Sequence, residues 1–267
     1  MMTNTSPQED AQKKAQVQDY FSRTAESYVT STAHRAGADL ARLIELGEWD
    51  QQQQALDIAT GGGHTALAVA PHVAQVTVSD LTPTMLETAR TFILAQGVTN
   101  AVFVEADAEH LPFPAASFDR VTCRIAPHHF PNIAQAVQEV SRVLKPGGLF
   151  LLIDNIAPSD PELDFFINKV EKWRDPSHGR ACTSEEWHTF FSQAALHIEH
   201  VEYMHKLFSY DTWTTMAQLP ANEKAALERF ILDSSVSIRE HFEVKTRSDG
   251  HMESFIGNAI LLKGRKL

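Results

Sequence analysis

Between about Gln54 and Ile156, short β-like runs alternate with stretches whose apolar positions recur at helical spacing. ALDIA, QVTVSD, AVFVEAD, FDRVTCRIA and LFLLIDNIA read as five strands. TPTMLETARTFILAQG reads as a helix with Thr82 as N-cap, Pro83 at the first helical position and a stop at Gly97. NIAQAVQEVSRVLKPGG repeats the scheme from Asn132 to the Pro146-Gly147-Gly148 stop. This alternation predicts a parallel sheet wrapped by helices, its strand order constrained by right-handed crossovers.

The flanks read differently. VQDYFSRTAESYVTSTAHRAGADLARLIEL reads as two helical segments, with Phe21 and Tyr28 on one face if the first is unbroken. After the core, DPELDFFINKVEKWRDPSHGRACTSEEWHTFFSQAAL is largely helical, and Thr183 and Glu186 have the spacing of a capping box. IEHVEYMHKLFSY and SFIGNAILLKG then read as two more strands, separated by helical ANEKAALERFILDSSVSIREHF. The QQQQ run at Gln51 to Gln54 is expected to be a loop leading into the first strand. The organisation expected is a disordered polar tail over 1–14 and a single α/β domain over 15–267. Its core covers about 50–156, and a helical lid insert covers about 158–195.

Composition narrows the class of protein. With 43% apolar and 21% charged residues the chain has an ordinary globular profile. No run has the apolar length of a signal peptide core or a membrane span, so no membrane insertion and a cytoplasmic location are expected. Cys123 and Cys182 lie far apart and form no C-x-x-C pair, which suggests neither disulfide nor zinc site. A net charge of -11, with no compensating Lys/Arg cluster, argues against nucleic acid and for a small-molecule partner. Oligomeric state is not legible.

The strongest local signal is LDIATGGGHTALAVA, a strand, a glycine-rich turn and a helix start. Gly61 and Gly63 allow a sharp turn and close approach of a ligand, and a helix N-terminus offers N–H groups to a negative group. The run also satisfies G-x-G-x-x-A from Gly61 to Ala66, so an NAD-dependent oxidoreductase is one reading. Asp80, after the second strand, is placed to accept hydrogen bonds from both ribose hydroxyls of NAD or of S-adenosylmethionine. Asp57, just before the turn, suits the amino group of a methionine moiety better than a pyrophosphate; a buried structural Asp is the alternative. Asp107 closes the third strand, where its carboxylate could take the adenine amino proton and the Ala108 N–H could contact the ring. Three acids at the ends of successive strands converge on the crevice where such sheets bind ligands.

In order along the chain stand D-x-A-x-G-G-G, Asp80, the Asp107-Ala108 pair, F-P-x-x-S-F-D and R-V-L-K-P-G-G. This set resembles the class I S-adenosylmethionine-dependent methyltransferases. It is most like the branch with the ubiquinone and menaquinone biosynthesis C-methyltransferases (methyltransferase type 11 domain), over roughly Phe21 to Ile156. The resemblance implies a Rossmann-like doubly wound sheet of seven strands with the last, SFIGNAILLKG, antiparallel beside the fifth. S-adenosyl-L-methionine is the implied cofactor. Ala59 stands where the broader class has glycine, a substitution this branch tolerates. By resemblance Phe21 and Tyr28 belong to a helix closing over the cofactor, unless they are ordinary apolar contacts. Met85 packs on the adenosine, and Ala59, Leu81 and Arg124 join the cofactor site.

The fourth strand ends in CRIAPHHFPN, which in this class faces the methyl donor, so Arg124, Ile125, His128 and His129 fall near the reaction centre. His129 is the candidate general base and His128 a candidate acceptor contact. KWRDPSHGR resembles a run in unassigned bacterial members of the branch; Arg174 and His178 are candidate acceptor contacts on a lid, or Arg174 and Asp175 hold the turn as an ion pair. Phe21, Tyr28, Phe130, Trp173 and Trp187 favour an aromatic or apolar, quinol-like acceptor. A catalytically silent S-adenosylmethionine-binding module is a third reading.

Overall fold

The computed structural model describes residues 7–30 and 37–267, with side chains over 8–23 and 37–267. Helix α1 (Pro7–Thr30) and α2 (Ala38–Leu46) precede strand β1 (Gln54–Ile58). The core continues through α3 (His64–Val69), β2 (Gln75–Asp80), α4 (Pro83–Ala95), β3 (Ala101–Glu105), β4 (Phe118–Arg124), α5 (Ile133–Val143) and β5 (Leu144–Ile156). Next come α6 (Pro161–Arg174), α7 (Ser184–Gln193), β6 (Leu196–Ser209), α8 (Tyr210–Met216), α9 (Ala221–Leu232), α10 (Val236–His241), the short β7 (Lys245–Thr246) and β8 (Met252–Lys266).

The sheet order is β3-β2-β1-β4-β5-β8-β6, with β7 paired to β8. The first five strands run parallel, and β8 is antiparallel to both β5 and β6. The expected strands and the antiparallel place of SFIGNAILLKG beside the fifth are therefore found, with two-residue β7 in addition. The central strands β1, β2 and β4 are buried almost without interruption because helices cover both faces, whereas the edge strand β6 largely alternates half-buried and exposed residues. On one face Trp187, Phe190 and Phe191 of α7 and Val137 and Val140 of α5 pack on Val121, Phe150 and Leu262. On the other, Ala66 and Val69 of α3 and Leu86 and Ile93 of α4 pack on Ala55, Val76 and Val78.

Local signals fix several boundaries. Asn132 caps α5 through the Gln135 amide, and Thr183 and Glu186 form a reciprocal capping box on α7. Thr82 is the N-cap of α4 but makes no side-chain cap bond.

Two boundary expectations change. Helix α1 begins at Pro7, inside the stretch read as a disordered tail, because Lys14 pairs with Asp107 at 2.7 Å and Glu109 at 2.5 Å and ties that polar stretch to the core. The lid is also divided differently. Helix α7 belongs to the sheet, where Trp187 is fully buried, while α6 joins α8, α9 and α10 around Phe166, Tyr210, Trp213, Leu227 and Phe242. This second apolar cluster forms a cap made largely of residues beyond 195. Trp187 is thus a core residue, and Trp173 packs against Phe230 and donates to Glu223 within the cap.

Gly63 does not line the cavity described below. It sits at φ 85, and an added Cβ would lie 2.9 Å from Ile93 Cδ1 and 3.2 Å from Ala89 Cβ, so its smallness lets α3 start against α4. Replacing Gly63 with Ala combines left-handed strain with overpacking and should lower stability by about 1–3 kcal/mol. Urea unfolding measures this; an unchanged midpoint and slope would refute the packing role.

Candidate active site

The carboxyl ends of β1, β2 and β4 open into a cavity of about 760 Å³, within the roughly 300–1,000 Å³ usual for small-molecule sites. One end is lined by Ala59, Gly61, Asp80, Leu81, Met85 and Ala108. Asp80 anchors it: Oδ2 accepts the Gly61 amide at 3.1 Å and Oδ1 the Thr82 amide at 2.9 Å. Each oxygen keeps lone-pair capacity for a ribose hydroxyl. A Cβ on Gly61, which has φ 55, would meet only Met85 Cε at 3.7 Å, so the missing side chain leaves space on the cavity side of the turn. Ala59 takes the left-handed φ of 50 without being glycine, which gives the physical reason glycine is common at this position. A free carboxylate face, a bare turn and an apolar Met85 wall fit the ribose, methionine and adenine parts of S-adenosylmethionine.

The other acids behave differently. Asp57 is buried and off the cavity, its oxygens accepting the hydroxyls of Thr60 at 2.7 Å and Thr122 at 2.6 Å, so it braces the turn as a structural carboxylate. Burial pushes both Asp57 and Asp80 up to about 6. Asp107 lines the cavity just past the end of β3, but it already accepts from Lys14 and from the Glu109 amide. Lys14 also occupies the one place where Asp107, Glu109 and His110 converge.

Phe21 lines the cavity from α1, its ring edge-on to His129 with centroids 5.0 Å apart. Tyr28 lies on the same unbroken helix, but its side chain is outside the described residues. Arg124 also lines the cavity and is held by Asp39 of α2 through two 3.0 Å bonds.

After β4 the chain passes through Ile125 at φ 54 into a single 3-10 turn, Pro127–His129, which turns both histidines onto the cavity. Asp154 of β5, fully buried, takes the His128 amide on Oδ2 at 2.9 Å and the ring Nδ1 on Oδ1 at 2.6 Å. A carboxylate accepts only, so in the neutral ring Nδ1 carries the proton and Nε2 the lone pair. Burial alone would lower the pKa of His128, but Asp154 outweighs it and holds it above the ordinary imidazole value. His129 differs. Burial, reinforced by the neighbouring His128, lowers it to about 3. Its Nδ1 lies 3.2 Å from Ser177 Oγ, which in turn donates to Asp175.

The lid turn is pinned under these residues, since the Gly179 and Arg180 amides donate to the His128 carbonyl. Arg174 and Asp175 line the cavity, but not as a pair: Arg174 bonds Glu171 and lies over the Trp213 ring, and Asp175 accepts from Ser177. His178 faces away from the cavity, bonding Asn168 at 3.0 Å, and so leaves the acceptor set. Sequence reading missed Asp39, Asp154, Asn155 and Lys206. A lone carboxylate within LFLLIDNIA was a readable signal for Asp154; the others had none.

Comparison with known proteins identifies the family. A family model described as a methyltransferase domain matches residues 56–152. The uncharacterized methyltransferase YcgJ of Bacillus subtilis is 39% identical over 92% of this chain and 97% of its own length. The chain belongs to the class I S-adenosylmethionine-dependent methyltransferases. The crystal structure of YcgJ superposes with a TM-score of 0.84, covering 86% of this chain and 99% of that one at 38% identity. The ubiquinone/menaquinone biosynthesis C-methyltransferase UbiE of Brucella anthropi is 30% identical over 66% of this chain and 71% of its length. The NAD-dependent reading falls, since the antiparallel β8 between β5 and β6 replaces the all-parallel 3-2-1-4-5-6 order of dinucleotide folds. Among the described residues no helix is long and apolar enough to cross a membrane.

The ionised carboxylate of Asp80 accepts ribose hydroxyls more strongly than the neutral acid, and with its pKa raised to about 6 by burial that ionisation is pH-dependent. Affinity for S-adenosylhomocysteine should therefore rise from about pH 5 to about pH 7. Asp80→Ala should weaken binding by about 1.5–3 kcal/mol and flatten the rise. Calorimetry on folded protein decides; a pH-independent affinity would count against Asp80 as the ribose acceptor.

Proposed function

We propose that the enzyme methylates a free small molecule with an apolar or aromatic body, and that the reacting group loses its proton to His128, positioned by Asp154. The observation that carries this is the paired grip of Asp154 on both the backbone and the ring of His128. It fixes the tautomer and leaves Nε2 as the proton acceptor, the logic of a carboxylate orienting a histidine base. When bound, S-adenosylmethionine supplies an electrophilic methyl carbon on a sulfonium. The residues around it hold the acceptor in line and exclude water, which accounts for much of the rate. His128 is needed for a reluctant nucleophile such as a phenol or an activated ring carbon.

His129, read from the sequence as the base, is the weaker acceptor because of its depressed pKa, and takes a positioning role between Phe21 and Ser177. Phe130, Phe208 and Trp213 line the cavity and support an apolar or aromatic body. The net charge of -11 disfavours a nucleic-acid acceptor and is consistent with a cytoplasmic small molecule. Arg174, near the reacting space, contributes to acceptor binding.

His128→Gln should lower turnover by about 10²–10⁴ while leaving S-adenosylhomocysteine affinity nearly intact. The assay is transfer of a radiolabelled methyl group into fractions of cell extract, with thermal melts to establish folding. Because the neutral imidazole is the active form and its pKa is raised, activity should fall as pH drops through a value above about 6.5. Asp154→Asn should move that limb downward. Full turnover in His128→Gln, with loss in His129→Ala, would reverse the two roles.

A further inference from the structure

The acceptor end of the cavity contains a cation that the base chemistry does not use. Lys206 of β6 and Asn155 of β5 flank β8, where they stand opposite Gly257 and Ala259. Gly257 leaves room that the Phe208 ring fills, since a Cβ there would lie 2.7 Å from that ring. Across these small residues Lys206 Nζ reaches Asn155 Oδ1 at 3.5 Å, long for a charged hydrogen bond.

The other cations on the cavity wall are paired with carboxylates. Arg124 holds Asp39, Arg174 holds Glu171, and Lys14 holds Asp107 and Glu109. Among the described residues lining the cavity, Lys206 is the cation without a carboxylate in contact. The same cavity is also lined by Met204, Phe208, Trp213 and Met216. Burial draws the pKa of Lys206 below the ordinary lysine value; the charges of Asp39, Asp154 and Glu171 oppose this from beyond ion-pair distance, and Arg124 adds to it, so a carboxylate in direct contact would still favour the ammonium.

We propose that Lys206, with Asn155 beside it, is the anion-binding point of the acceptor pocket, and that the methyl acceptor is a small apolar or aromatic carboxylate. This rests on the methyltransferase reading of the cavity but not on the identity of the base. Asp154, which holds His128, and Asn155, which contacts Lys206, are consecutive residues of β5. One strand end therefore sets the spacing between the acceptor's carboxylate and its reacting atom.

The test titrates S-adenosylhomocysteine-loaded enzyme with matched pairs, 4-hydroxybenzoate against 4-hydroxybenzamide and indole-3-acetate against indole-3-acetamide. At least one carboxylate should bind about ten- to a hundredfold more tightly than its amide, the equivalent of one charged hydrogen bond. Lys206→Met should remove that preference while leaving amide binding and S-adenosylhomocysteine affinity unchanged, and Lys206→Arg should retain it. Three results would overturn the proposal: no carboxylate preferred by the wild type, a preference that survives Lys206→Met, or weakened S-adenosylhomocysteine binding in Lys206→Met, which would assign Lys206 to the cofactor. Full turnover in His128→Gln sinks the proposed base without altering these affinities, so the two ideas fail separately.

Discussion

The site depends on one buried carboxylate. Asp154 is fully buried at the end of the apolar run Leu149 to Ile153 of β5, a position where an unpaired charge would cost several kcal/mol. Its stability there comes from the His128 amide and ring, which together satisfy both oxygens. The same grip sets the course of the turn after β4, and through the His128 carbonyl it sets the lid turn at Gly179 and Arg180. Three segments far apart in the chain are thus located by one side chain. Buried ion pairs seldom add net stability over an apolar replacement, so the pair is better understood as a device for geometry.

Around this point the cavity divides by chemistry. The end at β1 and β2 presents Asp80, a bare turn and the Met85 wall, a chemistry that suits ribose hydroxyls and an adenine ring. The other end has aromatic walls with ionic groups set among them, most of them already paired. Paired charges are held rigid and contribute shape, and an unpaired one such as Lys206 contributes selectivity. The family model spans residues 56–152 and so includes the cofactor end and His128, but stops short of Asp154, Arg174 and Lys206. The family model thus covers the glycine-turn half of the cavity, while the half proposed for the acceptor draws on β5, β6 and the cap.

The cap shows why fold and acceptor are separable. Its apolar cluster, around Phe166, Tyr210, Trp213 and Phe242, is distinct from the clusters that seal the two faces of the sheet. Changes in its packing can alter the acceptor space without disturbing Asp80 or the glycine turn.

The sequence by itself determined the strands, the helix caps and the order of cofactor motifs, because each depends on neighbours within a few residues. The short β-like runs, the Thr183/Glu186 capping box and the D-x-A-x-G-G-G turn are local, and all reappear in the structure. The tail is an exception: the polar stretch around Lys14 looked unstructured because the carboxylates that order it, Asp107 and Glu109, lie more than ninety residues away. For Asp57 the sequence left a ligand contact and a buried structural role both open, and Gly63 was legible as special but not as a packing position; the choice depends on Thr122 and Ile93 from other elements. Likewise the adjacent histidines were visible, but only the fold decided which one meets a carboxylate, which is neutralised by burial, and that His178 turns away. Charge environments are sums over groups distant in sequence, so they exist only once the chain has closed.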